Sequence, residues 1–193
     1  MINTLRYLKY IFIIPLIVSI SLSQPVYNPD AEKLLDTGRN LFYASVEDKS
    51  KLDSAFMVFK QYAKSYPEFE GRATTYIGVL TALKGKHSFW VYTKYNLVKK
   101  GLKIMDSGIE KSPNDIEALF VYGSTCYYMP FLFGRHDEAQ NAFNRIIKLL
   151  PENIHNYDAK LMGDVIDFLL DHTDLTDTQI KNLQRLKESI QIQ

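Results

Sequence analysis

The sequence is poor in several things, and each scarcity excludes a class. Only one cysteine, Cys126, occurs in 193 residues, so no disulfide can form within the chain and the fold must rest on an apolar core. Glycine (9) and proline (7) are too few for a collagenous or low-complexity chain. Net charge is only +1, which gives no global attraction to nucleic acid; electrostatic recognition, if any, must be local. No segment sustains the apolar–polar alternation of a half-buried strand. Also missing are a Gly-x-Ser-x-Gly elbow, a phosphate-cradling glycine loop, a Cys-x-x-Cys pair and a His-Glu-x-x-His zinc motif. The expectation is therefore a protein that is not an enzyme and that needs no cofactor or metal.

What is present is apolar and aromatic: 46% of residues are hydrophobic, with 13 tyrosines and 11 phenylalanines. The N-terminus reads as a secretory signal over residues 1–23. Arg6 and Lys9 precede the apolar run Ile11 to Ile20, and Ser21-Leu22-Ser23 supplies small residues ahead of a cleavage point at Gln24. The run is short beside the ~20 residues of a membrane span. Export to a periplasm or beyond is expected, with an uncleaved N-terminal anchor as the alternative and membrane contact expected only in that case.

Residues 24–30 read as a linker, with Asp30 capping a helix that begins at Ala31. From there the apolar spacing is helical. Leu34, Leu35, Leu41 and Phe42 share a stripe, as do Ala55, Phe56, Phe59, Tyr62 and Ala63. Pro67, Pro113 and Pro151 each follow such a run, at separations of 46 and 38 residues, near the periods of helix-pair solenoids. Each is read as a helix stop. The clearest unit is the third: Gly134 in the turn, Ala139 five positions on, Phe143 four further and Pro151 eight beyond, with Gly123 as the small residue of the preceding helix.

This spacing resembles a tetratricopeptide repeat. Ala55, Phe59 and Pro67, with Gly38 before them, and Gly101, Met105 and Pro113, with Gly78 before them, are similar to degenerate copies. The Gly85-Lys86-His87-Ser88-Phe89-Trp90 segment is also similar to uncharacterised exported bacterial proteins of this class. The resemblance implies an all-α fold: antiparallel helix pairs over residues 31–151, stacked as a short superhelix. In it Gly134 would let two helices approach closely, Ala139 would sit at their contact and Phe143 would fill the core. Residues 152–193 read as a C-terminal capping pair. Its first helix carries Leu161, Met162, Val165, Ile166 and Leu169, and a Thr176–Gln179 capping box opens the second. Cys126 reads as a buried, inert thiol.

The candidate binding surface is a charge asymmetry. Arg72, Lys84, Lys86, Lys94, Lys99, Lys100 and Lys103 fall in a stretch with no Asp or Glu, whereas residues 151–193 are acidic. His87, Phe89, Trp90, Tyr92 and Tyr95 interleave with the lysines on what reads as an inserted loop. Either this loop engages a partner or ligand, or its aromatics plug the gap left by the insertion while the lysines stay solvated. Asp164, Asp167 and Asp171 share one helical face and read as solvated. The expected function is an exported scaffold that binds a protein partner in the cell envelope. The alternative is a periplasmic carrier of a small anionic compound.

Overall fold

The computed structural model describes residues 28–191, so the signal reading and most of the linker lie outside the described residues. The chain is all-α. Eight helices run in order among the described residues: α1 (Pro29–Glu47), α2 (Leu52–Ser65), α3 (Glu70–Lys86), α4 (Val91–Lys111), α5 (Ile116–Tyr127), α6 (His136–Asn153), α7 (Ala159–His172) and α8 (Asp177–Gln191). Each helix packs on its sequence neighbour, α1 with α2, α3 with α4, α5 with α6 and α7 with α8, while α2–α3 and α3–α5 contacts join the pairs.

Helix boundaries follow local chemistry. Asn28, not Asp30, caps α1, its side chain accepting from the amides of Asp30 and Ala31 at 3.1 Å. Asp30 is instead the second residue of the helix, where its negative charge still favours the N-terminus. Asp115 caps α5 by accepting from Ala118 N at 2.8 Å, and Asp158 caps α7 by accepting from Leu161 N at 2.8 Å. The capping box forms before α8: Thr176 N–H donates to Gln179 Oε1 at 2.9 Å and Gln179 N–H to Thr176 Oγ1 at 3.3 Å. Pro67 and Pro113 fall just beyond α2 and α4. Pro151 does not stop its helix, because α6 runs through it to Asn153; only the final turn is affected there.

Three glycine–large contacts recur, one per pair. A Cβ on Gly38 would lie 3.0 Å from Phe59, one on Gly78 2.5 Å from Met105 and one on Gly123 2.8 Å from Phe143. The small residue of the first helix thus receives the large residue of the second. Ala55, Phe59, Met105, Ala139 and Phe143 are all fully buried. Between α3 and α4 the approach is closest. Gly71, Gly78 and Gly85 on α3 and Gly101 and Gly108 on α4 recur at seven-residue spacing, which keeps them on one face of each helix. A Cβ on Gly101 would stand 2.6 Å from the Gly78 carbonyl oxygen, so backbone packs on backbone. Gly134 has a different role from the one expected: nothing lies within 4 Å of its Cβ position, and its φ of 61° ends the turn before α6.

The core forms two clusters. Leu35, Ala55, Phe59, Tyr62, Tyr76 and Leu80 centre the first, on α1–α3. The second runs from Leu102 and Met105 through Phe143 and Ile146 to Leu161, Met162, Val165, Ile166, Leu169 and Leu183. Phe168 carries α7 onto α5 and α6, with ring centroids 5.3 Å from Phe120 and 5.4 Å from Phe143.

Candidate binding surface

The segment read as an inserted loop is the junction of two long helices. Residues 87–90 form the whole connection between α3 and α4, so the basic aromatic stretch occupies the end of α3, a short turn and the first half of α4. The glycine-mediated packing of α3 on α4 holds this tip rigidly.

Three of the expected binding residues anchor the tip. Lys84 Nζ pairs with Asp53 at 3.1 Å and lies 4.3 Å from the Phe56 ring centre. Lys86 Nζ donates to the Val46 carbonyl at 2.9 Å and pairs with Glu47 at 3.2 Å. His87 Nε2 donates to the Ser45 carbonyl at 3.0 Å. Together they tie the α3–α4 tip to the connection between α1 and α2.

The aromatics are not gap-fillers. Phe89 is 86% exposed, Trp90 71%, Val91 79% and Tyr92 77%, and Phe89 meets Trp90 edge-on at 5.5 Å. A second apolar turn stands beside them, since Tyr95 stacks on Phe133 at 5.7 Å and thereby joins the α3–α4 tip to the connection between α5 and α6. On that connection Phe131 is 96% exposed, with Leu132 also in solvent. Arg135, just past Gly134, fixes this turn by pairing with Asp106 on α4 at 2.8 Å, where the Tyr122 hydroxyl also donates at 2.9 Å. The sequence reading missed Val91, Phe131, Leu132 and Phe133. An apolar triplet between the breakers Pro130 and Gly134 was the available sign of them.

Lysines frame these two tips. Lys99 lies 5.3 Å from the Tyr95 ring centre. Lys94, Lys100 and Lys103 are exposed and form no ion pair with a described residue. Tyr92, Lys99 and Lys103 recur at helical spacing on the outward face of α4, opposite buried Gly101, Leu102 and Met105.

Arg72 does not belong to this surface. It is buried, pairing with Asp115 at 2.7 Å and Glu117 at 3.3 Å, beneath the ring of Tyr157. Arg39 from α1 and the Tyr76 hydroxyl from α3 donate to the same Glu117 carboxylate. Burial pushes the Glu117 carboxyl up, yet the charges of Arg72 and Arg39, with the bonds from Arg39 and Tyr76, outweigh it and hold the carboxyl below its ordinary value. This network joins α1, α3 and α5 and is buried except at its α1 edge, where Arg39 also pairs with Glu32 and the exposed Asp36 at 2.5 and 2.6 Å.

Cys126 is 1% exposed, and burial pushes its thiol up to about 12, so it stays protonated. Asp164 pairs with Lys160 at 3.1 Å and Asp167 with Lys187 at 2.5 Å. Among the described residues no group of three His, Cys, Asp or Glu side chains is placed to hold a metal ion, and no helix is long and apolar enough to cross a membrane.

No protein-family model, no curated protein and no solved structure matches the chain.

Proposed function

We propose that this chain is an exported, non-catalytic scaffold of the tetratricopeptide-like kind, which attaches to a target in the cell envelope through its basic aromatic end. The observation that carries the reading is the position of Phe89, Trp90, Tyr92, Phe131 and Leu132. Two separate connections hold these side chains in solvent on a rigid framework whose core uses none of them. Exposed aromatics of this size favour removal from water by ~1.5–3 kcal/mol each when fully buried, so together they supply a useful attachment energy.

The recurring Gly38–Phe59, Gly78–Met105 and Gly123–Phe143 contacts support the tetratricopeptide-like register. The scaffold role, in preference to catalysis, is supported by the burial of Arg39, Glu117 and Arg72 in mutual ion pairs and by the buried, protonated Cys126. A pocket for a small anion at the same end has weaker support, because Lys84, Lys86 and His87 already spend donors on Asp53, Glu47 and the backbone of α1.

The test is binding of the purified exported chain to isolated cell envelopes, beside a variant carrying Phe89→Ser, Trp90→Ser and Tyr92→Ser. The variant is expected to keep its helical circular dichroism and lose envelope binding. Equal binding by both proteins would overturn the reading.

A further inference from the structure

We infer that the target of this end is the anionic surface of a lipid bilayer; the inference rests on the attachment reading above and names its partner. Four observations point to lipid.

The first is shape. Phe89, Trp90, Val91 and Tyr92 project from one turn, and Phe131 and Leu132 from another, with exposures between 69% and 96%. They form two neighbouring prongs, bridged by the Tyr95–Phe133 stack, although Phe131 also borders a hollow beside Tyr127, Met129 and Arg135. Prongs bury their area in a soft phase that closes around them, whereas a folded partner would need a matching pit for each.

The second is chemistry. Trp90, Tyr92 and Tyr95 carry apolar rings with a polar edge, the side chains that favour the boundary between headgroups and acyl chains. Phe89, Phe131 and Leu132 have no polar atom in the side chain, and Phe131 and Phe89 are the most exposed of the set.

The third is charge. From residue 71 to residue 105 there is no Asp or Glu, so the α3–α4 tip carries no carboxylate of its own, and the neighbouring Glu47 and Asp53 are paired with Lys86 and Lys84. Lys94, Lys99 and Lys100 follow the aromatic turn within three helical turns. Long lysine stems can reach phosphate groups while the rings beside them insert.

The fourth is rigidity. Backbone contact between Gly78 and Gly101, the lysine and histidine anchors to α1 and α2, and the Arg135–Asp106 pair hold both prongs without help from the target. Little conformational entropy then remains to be lost on docking.

Trp90 is the only tryptophan, so its emission reports on the tip alone. The full chain is mixed with vesicles of phosphatidylcholine containing phosphatidylglycerol, and with vesicles of phosphatidylcholine only. The expected result is a blue shift and quenching by bromine-labelled acyl chains with the anionic vesicles, weakened by salt. A variant with Lys94→Gln, Lys99→Gln and Lys100→Gln should partition on the order of a hundredfold more weakly. Changing Lys33, Lys64 and Lys148 to Gln instead, with the same loss of net charge, should leave partitioning within about twofold, because those exposed residues lie toward the far ends of α1, α2 and α6 from the tip and exposed lysines act within a Debye length. The Phe131→Ser, Leu132→Ser variant keeps Trp90 and both core clusters, and should lose roughly a hundredfold or more in partitioning.

An unshifted Trp90 with anionic vesicles would overturn the lipid inference. So would equal losses from the two lysine variants. If Trp90 stays unshifted while the Phe89/Trp90/Tyr92 variant still loses envelope binding, the attachment reading stands and its target is a protein. If envelope binding is also unchanged, both fall.

Discussion

Glu117 on α5 accepts two hydrogen bonds from Arg39 on α1, at 2.8 and 2.6 Å, with its side chain wholly removed from solvent. Arg72 on α3 pairs with the same carboxylate. One side chain therefore fastens the first helices of three successive pairs. Glu117→Ala would leave two buried guanidinium groups short of an acceptor, and the expected cost is roughly 3–5 kcal/mol. Urea denaturation of the variant against the parent chain measures it.

The same carboxylate sets an acid dependence. Its pKa in the folded chain lies below the ordinary 4.5, so the unfolded chain binds a proton at a higher pH than the folded chain does. The stability it contributes is complete above that ordinary range and is lost as pH falls through the folded carboxyl's own titration. Glu32 acts in the opposite sense: burial raises its carboxyl more than Arg39 lowers it. Urea midpoints followed from neutral pH to below 4.5 should fall in the parent chain. They should fall less steeply in Glu117→Gln.

The all-helical character was readable in the sequence, because helical periodicity is local. Gly38, Phe59, Gly78, Met105, Gly123 and Phe143 were singled out through a likeness to tetratricopeptide repeats, whereas the contacts of Gly38 on Phe59, Gly78 on Met105 and Gly123 on Phe143 join separate helices and emerge only in the structure. The inward face of α7 and the Thr176–Gln179 box were equally plain, being periodic and local. Asn28 was overlooked because Asp30 has the same capping chemistry two residues later. The inserted loop was misread because the seven-residue run of Gly71, Gly78, Gly85, Gly101 and Gly108 was not taken as a helix–helix seam; that seam extends α3 and α4 to the tip. Arg72 counted as surface charge because its partners, Asp115 and Glu117, are more than forty residues away. Trp90 and its neighbours stood out in the sequence and are exposed in the structure, while their junction with Phe131 depends on a Tyr95–Phe133 contact that no local pattern encodes.

Gly101→Ala tests the seam. The added methyl would meet the Gly78 carbonyl at 2.6 Å and Ala82 N at 2.7 Å, both of them backbone atoms that cannot rotate away. A loss of roughly 2–3 kcal/mol is expected from the overpacking. Gly163→Ala, on α7, meets its first neighbour only at 4.0 Å and should gain about 0.5–1 kcal/mol from helix propensity. Thermal denaturation of the two variants side by side distinguishes a tight seam from a general intolerance of alanine.

Tyr62 is 1% exposed and its hydroxyl has no hydrogen-bond partner among the described residues. Tyr62→Phe removes that buried oxygen and keeps the ring that packs on Phe69 at 5.8 Å. The variant is expected to be as stable as the parent, or more stable by about 1 kcal/mol. A loss above that amount in urea denaturation would show that the hydroxyl is satisfied in solution.

Attachment through the aromatic end is tested most directly by a photo-crosslinking residue placed at Phe131, compared with one at Lys148, which is exposed on α6. After irradiation of intact cells, position 131 should yield a crosslinked product, lipid or protein, and position 148 should yield none. Absence of product at 131, or equal product at both positions, would contradict the account.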